Sequence, residues 1–334
     1  MVTARRTIVA VLAVLMLVLA GCVERVSVGS DEQAPNGDSW APAISANGRF
    51  VAFSTAGDNL DTEDTGDADV FVRDRVTGQT QPASRSVGPG FNSYGSDDAA
   101  ISADGRYVAF TSDRAGLVQG DTNQTTDVFR FDRQTRITTR VSVSSAEEQS
   151  NFGSGDIGAG PSVSISGDGR YVAFISQAWN LVPDDTNQGF PDIFIRDTVA
   201  GTTSRIPAES VGSAAPPNLT FHGLSTPEMS QDGRFVAYTS LLGQPTGSGG
   251  AVMVDATDVY LTRIATGATT RASGPAGLGQ ARRGISIGAD GGVVAFSSGA
   301  SDLVSGDTNG AHDVFLRNTS TGAFTRIAAG SVSG

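Results

Sequence analysis

Apolar and polar side chains alternate with a period of two along most of this chain, in runs of five or six residues separated by polar, glycine-containing turns. Arg106-Tyr107-Val108-Ala109-Phe110 is one such run, and Asp127-Val128-Phe129-Arg130-Phe131-Asp132 is another. Runs of this kind, rich in β-branched and aromatic residues, predict half-buried strands. No stretch beyond the N-terminus sustains a 3.6-residue apolar period, and 42 glycines in 334 residues suit turns better than helices. The chain is therefore predicted to be nearly all β.

The runs recur as a larger unit. Asn47-Gly48-Arg49-Phe50-Val51-Ala52-Phe53 returns as Asp104 to Phe110, as Asp168 to Phe174, as Asp232 to Tyr238 and, degraded, as Asp290-Gly291-Gly292-Val293-Val294-Ala295-Phe296. Glycines 48, 105, 169, 233 and 291 lie 57, 64, 64 and 58 residues apart, a period that marks an array of units burying their faces on one another. Each unit offers four extended segments. In the second, Asp97 to Ser102 leads into an Asp104-Gly105 hairpin turn, whose central residues need positive φ. The strand Arg106 to Phe110 follows, then a polar loop, the strand Asp127 to Asp132, a tight turn and Thr138 to Ser142. Four-stranded meanders repeated in this way close radially. The prediction is an all-β β-propeller over residues 40–334 with five four-stranded blades, six being the alternative count. Val23-Glu24-Arg25-Val26-Ser27 looks like one more fourth strand, comparable to Thr139-Arg140-Val141-Ser142, yet Phe324-Thr325-Arg326-Ile327 already ends the last unit. Residues 22–39 are thus read either as a tether or as a strand at the closing seam.

The Ser-x-Asp-Gly-Arg-Tyr-Val-Ala-Phe core and the Asp-Val-Phe-x-x-Asp-x-x-Thr-Gly segment resemble the WD-like repeats of the TolB family, periplasmic propellers of the Tol-Pal envelope system. The resemblance covers about residues 40 to 328 and implies a propeller fold in an exported protein; it does not single out one function. The TolB family also carries a separate N-terminal α/β domain and six blades, whereas here the repeats begin within about twenty residues of a processing site.

That site is read from Arg5-Arg6, the apolar run Ile8 to Leu19, and Leu19-Ala20-Gly21-Cys22. A basic segment, a short apolar core and small residues form a signal peptide over 1–21, too short for an ordinary membrane-spanning helix. Leu-Ala-Gly-Cys resembles the lipobox of bacterial lipoproteins, which implies acylation of Cys22, the only cysteine in the chain. Arg5-Arg6 also resembles a twin-arginine export signal. The expected location is the periplasmic or extracellular face of the cell membrane, held by a lipid. A domain without disulfides must be stabilised by sheet packing. Loss of Arg5 and Arg6 takes the formal charge from −12 to about −14, which argues against nucleic acid and against anionic lipid surfaces as partners. There is no lysine, so Schiff-base chemistry is excluded.

In such a propeller the Asp-Gly and Thr-Gly hairpins share one face, and the long loops that differ between repeats gather on the other. Variable loops on a rigid scaffold suit recognition. The loop face reads as acidic, with Asp64, Asp67, Asp97, Asp98, Asp121 and Asp185 among its carboxylates, and the candidate binding set adds Asn123, Asn187, Asp307 and Asn309. The motif Asp121-Thr122-Asn123 with Asp127 recurs as Asp185-Thr186-Asn187 with Asp192 and as Asp307-Thr308-Asn309 with Asp313. Oxygen side chains at alternate positions would suit Ca²⁺, but each loop offers three ligands where calcium takes six to eight; Asx-turns explain the same residues without a metal or other cofactor.

Gly284-Ile285-Ser286-Ile287-Gly288 fits the nucleophile elbow of serine hydrolases but aligns with the first strand of the fifth unit, the wrong context for that motif. His222 and His312 fall in loops of different units. The sequence reading is a monomeric, non-catalytic binding or scaffold module that takes a protein or envelope component on its acidic loop face. The alternative is a glycan-directed enzyme or sugar-binding propeller using loop-face carboxylates with His222, Trp40 or Trp179. Glu228, in a first strand, is expected near the central channel or between blades.

Overall fold

The computed structural model describes residues 23–61, 67–85, 95–155, 162–185, 191–206, 221–222, 227–242, 257–274 and 281–327. They form five antiparallel meanders in chain order. The first blade comprises Ser39–Ile44, Phe50–Thr55, Asp69–Asp74 and Gln79–Pro82; the second Ser96–Ile101, Tyr107–Ser112, Asp127–Asp132 and Ile137–Arg140. The third comprises Val163–Ile165, Tyr171–Ser176, Asp192–Asp197 and Thr202–Ile206; the fifth Ala281–Ile287, Val293–Ser298, Asp313–Asn318 and Phe324–Ile327. In the fourth, Phe235–Leu242, Thr257–Arg263 and Ala268–Arg271 are continuous. Its first strand comes as two short pieces, Phe221–His222 and Glu228–Met229, paired along Phe235–Leu242, so His222 lies in a strand and not in a loop.

Register is constant between blades. The central pair of rings is Phe53 opposite Phe71, Phe110 opposite Phe129, Phe174 opposite Phe194, Tyr238 opposite Tyr260 and Phe296 opposite Phe315. On the other face of the second strand, Ala52, Ala109, Ala173 and Ala237 are fully buried, because that face packs against the following blade. Four apolar clusters join the blades in sequence, first to second, second to third, third to fourth and fourth to fifth.

The Ser-x-Asp-Gly-Arg motif builds the turn and joins the blades. Ser102 Oγ donates to Asp104 and accepts the Tyr107 N–H, an arrangement shared by Ser45, Ser166 and Ser230. Gly105 has φ +73°, a conformation that side chains resist. A Cβ there would lie 2.1 Å from the ring of Phe50 in the preceding blade; Gly169 meets Tyr107, Gly233 meets Tyr171 and Gly291 meets Phe235 in the same way. The arginine after the glycine reaches the end of the third strand: Arg106 pairs with Asp132 and Arg170 with Asp197, which holds both carboxyls down at about 2. Backbone bonds then run from turn to turn, Ala46 N–H to Ala103 O, Ala103 N–H to Gly167 O, Gly167 N–H to Gln231 O and Asp232 N–H to Ala289 O.

This chain of contacts stops after the fifth blade. Among the described residues no turn-to-turn bond and no apolar cluster links the fifth blade to the first. Gly48 has only an Arg75 guanidinium nitrogen, at 3.8 Å, where the other glycines have a ring. Val293 takes the aromatic position of the fifth blade and is exposed, and Val314 is 45% exposed where Val70, Val128, Ile193 and Val259 are all 0%. The described residues thus show no such link between the fifth blade and the first, although Phe53 and Phe71, on the face of the first blade turned away from the second, are buried.

The N-terminal segment neither dangles nor pairs with the fifth blade. It lies on the outer edge of the first. Thr80 Oγ1 donates to Val28 O, Thr80 N–H to Ser30 Oγ, and Arg73 to Gly29 O and the Glu32 carboxylate. The linker leaving the second blade docks on the third through the same bonds, Thr203 to Val143 O and Ser145 Oγ, Arg196 to Ser144 O and Glu147. Even the turn is shared, with φ +65° at Glu32 and +64° at Glu147.

The missing ring at Gly48 is testable by glycine substitution. Gly169→Ala forces a methyl into Tyr107 on top of its left-handed φ and should cost upward of 3 kcal/mol, whereas Gly48→Ala meets open space and should cost about 1 to 2 kcal/mol, the backbone term alone. Urea midpoints of the two variants check this, and equal losses would mean that Gly48 has an aromatic ring beside it too.

Candidate functional site

The antiparallel meanders send the end of every second strand and the start of every third to one side of the sheets, the side of the long loops. In the second to fifth blades an arginine of the fourth strand reaches the aspartate near the start of the third. In the second blade, Arg140 from the end of the fourth strand lies 3.6 Å from Asp121 and 3.8 Å from Asp127. Asp127 also accepts from Ser142 Oγ at 2.5 Å, Ser150 Oγ at 2.8 Å and Asn123 Nδ2 at 3.0 Å. Burial pushes the carboxyls of Asp121 and Asp127 up, and Arg140 opposes that shift. Arg205 stands between Asp185 and Asp192 in the third blade at 3.3 and 3.4 Å, and Arg326 between Asp307 and Asp313 in the fifth at 3.0 and 3.4 Å. Asn309 repeats the donation of Asn123, to Asp313 at 3.0 Å. In the fourth blade Arg271 holds Asp258. The first blade has Pro82 at the arginine position, and Arg114 reaches over from the second blade to Asp69 at 2.7 Å.

The Asp-Thr-Asn motif is thus half of an ionic clamp whose other half is a distant arginine. Its carboxylates face guanidinium groups, and Asp127 and Asp313 also accept from hydroxyl or amide donors. The other candidate acids are also engaged. Asp67 lies 3.8 Å from Arg114, Asp97 accepts the Trp40 indole N–H at 2.7 Å, and Asp98, at φ +55° in the strand bulge, accepts the Ser162 N–H and Oγ. The last two tie the first blade to the second and the second to the third. Candidate residues Asp64, Asn187 and Cys22 lie outside the described residues, as does the signal peptide. The described candidates are spread over blades one, two, three and five and do not converge on one pocket.

A feature that residue-by-residue reading misses stands out on this face. Asn151 N–H donates to Asn180 Oδ1 while Trp179 N–H donates to Asn151 Oδ1, at 3.0 and 3.2 Å. This reciprocal lock seats Phe152 and Trp179 beside each other, ring centroids 5.5 Å apart, and leaves them 45% and 39% exposed. The first blade has the same lock in Asn36 and Asn59, with Gly37 and Asp58 in place of the rings. The rings are therefore additional to what the fold needs. The signal was present in the sequence as paired asparagines at matching repeat positions.

Glu228 occupies a first-strand position held by Ala43, Ala100, Ser164 and Ser286 in the other blades. Burial pushes its carboxyl up to about 7. The carboxyl makes no hydrogen bond to another described residue. Ser286 lies in a strand opposite Ala295, which is not the strand-turn-helix of a hydrolase elbow, and His312 is an exposed loop residue.

No protein-family model matches the chain, and no characterised protein matches it by sequence. Solved structures do. A prolyl endopeptidase structure aligns at TM-score 0.50 and 14% identity over 87% of this chain and 36% of its own. The fold is a β-propeller. TolB from Acinetobacter baumannii aligns over 87% of this propeller chain at TM-score 0.45 and 16% identity, and putative TolB from Agrobacterium tumefaciens at 0.44 and 16%. The propeller chain spans about half, 54%, of the Acinetobacter protein and 80% of the Agrobacterium one.

Two outcomes follow for this site. Arg140→Met should strand two carboxylates and cost about 3 to 5 kcal/mol, and millimolar Ca²⁺ should leave the wild-type melting temperature unchanged; calorimetry reads both. Because Glu228 binds its proton more tightly folded than unfolded, stability should fall as pH rises from about 4.5 to about 7, by up to about 3 kcal/mol, and level off above. Glu228→Gln should flatten that slope in pH-dependent urea unfolding.

Proposed function

We propose that this protein is an exported, lipid-anchored, non-catalytic binding or scaffold module of the cell envelope that takes a protein or other envelope component on its loop face. The observation that carries the reading is the Phe152–Trp179 pair, two exposed rings fixed by a backbone lock in a place where the fold works without them. Rigid aromatic anchors amid polar loops are what binding surfaces use, since they bury much area at little cost in conformational entropy. The acidic composition supports a partner with a cationic or polar rim around that anchor. Export and anchoring rest on Arg5-Arg6, the apolar run and Leu19-Ala20-Gly21-Cys22.

The second reading, a sugar-binding or glycan-directed propeller, draws on the same two rings, which would stack on a pyranose face. A catalytic version needs a paired acid and base, and several described loop-face carboxylates, Asp121, Asp127, Asp185 and Asp307 among them, face arginine.

The test combines anchoring and binding. Cys22→Ala should move the protein from the membrane to the soluble fraction and abolish fatty-acid labelling. Phe152→Ser with Trp179→Ser should empty the set of partners cross-linked in intact cells while leaving the melting temperature within about 2 °C, since both rings are surface residues. An unchanged partner set would remove the loop-face assignment, and loss of glycan-array binding without loss of protein partners would favour the sugar reading.

A further inference from the structure

We propose that the outer edge of the second blade is a peptide-docking site. It takes an extended segment of a partner protein with an apolar residue, a serine and an acid at alternate positions, the acid pairing with Arg136. The site involves neither Phe152 nor Trp179 and is independent of the loop-face reading.

The chain itself shows what such an edge holds. On the third blade, Thr203 gives its N–H to Ser145 Oγ and accepts that hydroxyl on its carbonyl, while Arg196 reaches the Glu147 carboxylate. On the first blade, Thr80, Ser30, Arg73 and Glu32 repeat the arrangement. Both docked segments have one pattern, Val28-Gly29-Ser30-Asp31-Glu32 and Val143-Ser144-Ser145-Ala146-Glu147, with the valine buried in each. The second of them is a small hairpin that bridges Val143 to Gln149. Thr138 on the second blade stands opposite Phe131 as Thr203 stands opposite Arg196 and Thr80 opposite Arg73, so its N–H and C=O also point off the sheet. No serine of a described segment brackets them, and an unpaired strand edge is a template for added chain.

Two replacements in the second blade decide what the edge accepts. Phe131 stands where the first and third blades have Arg73 and Arg196, and with Ala83, Leu117 and Val118 it gives an apolar floor to a groove of about 470 Å³ beside Thr138. Arg136 stands where the other blades have the turn glycines Gly78, Gly201, Gly267 and Gly322, yet it keeps their left-handed backbone at φ +59°, which costs an arginine what it does not cost glycine. A Cβ on Gly78 would lie 3.5 Å from Glu32 Oε1, and one on Gly201 3.6 Å from Glu147 Oε1. The Arg136 side chain therefore leaves its turn toward the spot that a docked glutamate holds on the neighbouring blades, and it lines the groove. Its guanidinium has no hydrogen bond or ion pair with another described residue. The chain leaving the first blade does not carry the pattern: aligned on Ser84 and Ser142, it reads Arg85-Ser86-Val87-Gly88-Pro89 against Val143-Ser144-Ser145-Ala146-Glu147. Valine, serine and glutamate are all replaced there, and proline cannot take the φ of +64° that Glu147 has. The acid that Arg136 awaits is thus assigned to a partner.

The probe is a peptide of residues 143–149, Val-Ser-Ser-Ala-Glu-Glu-Gln, closed into a ring by D-proline–glycine so that the hairpin is formed before it binds. Titrated into the full chain, it should shift the methyl resonances of Leu117, Val118 and Ile137 and slow exchange of the Thr138 amide. Arg136→Gly should weaken binding about tenfold or more while leaving the melting temperature unchanged or higher, because glycine is what this turn holds in the other blades. Glu147→Gln in the peptide should weaken binding by a similar factor, and the two changes together by no more than either alone, since they remove one charged hydrogen bond. An Arg136→Gly variant that binds like wild type, or groove methyls that do not move, overturns the proposal. So does a Thr138 amide already protected in the free chain, which would give the edge to residues 86–94 or to a second copy.

Discussion

The architecture depends on one steric exclusion. In the second to fifth blades the hairpin turn must present a glycine because the aromatic ring of the preceding blade stands where a Cβ would be, at 2.1 Å for both Gly105 and Gly169. The left-handed φ of the turn and the close approach of its neighbour are satisfied by the same residue, so a single atom's absence sets turn type and blade spacing together. The ring also carries a guanidinium: Arg133 stands 4.1 Å over Phe50, and Arg130 4.6 Å over Tyr107. The Arg133 and Arg130 heads also reach the carbonyls of Gly105 and Gly169. Backbone, ring and cation thus form one repeated joint, and the array is as regular as that joint.

Arginine is the chain's only permanently charged basic side chain, and the folded molecule uses it as structural material. The planar fork binds two carboxylates or a carboxylate and a carbonyl at once, which an ammonium does less well. One set closes the hairpin face, as in Arg106 to Asp132; a second closes the loop face, as in Arg140 to Asp121 and Asp127; a third grips the incoming linker, as in Arg73 to Gly29 and Glu32. Much of the acidity that stands out along the sequence is internal balance for these forks.

Strands, turns and repeat boundaries were legible because they are local: alternation, Asp-Gly and Thr-Gly report on neighbours within a few residues. The clamps were not, since Asp121 and Arg140 are nineteen residues apart and only meet once three strands have paired. An acid counted in sequence looks free until the returning strand delivers its cation. Trp179 was visible as an aromatic in a loop, but its coupling to Phe152 needed the Asn151–Asn180 lock across two loops of different origin. The role of Val23 to Ser27 was half legible. Its likeness to a fourth strand could be read, but the seating of the residues that follow it, Val28 to Glu32, on the first blade depends on Thr80 and Arg73, which no pattern near residue 25 announces.

The ion pair between Glu24 and Arg75 bears on posture. Arg75 belongs to the hairpin between the third and fourth strands, on the side opposite the long loops. Cys22 is two residues before Glu24, within about 7 Å of chain. With Cys22 acylated, the bilayer would therefore lie under the hairpin side like a table under a dish, the rim of turns facing the headgroups. The loops with Phe152 and Trp179 would open away from the membrane, toward whatever passes through the surrounding space.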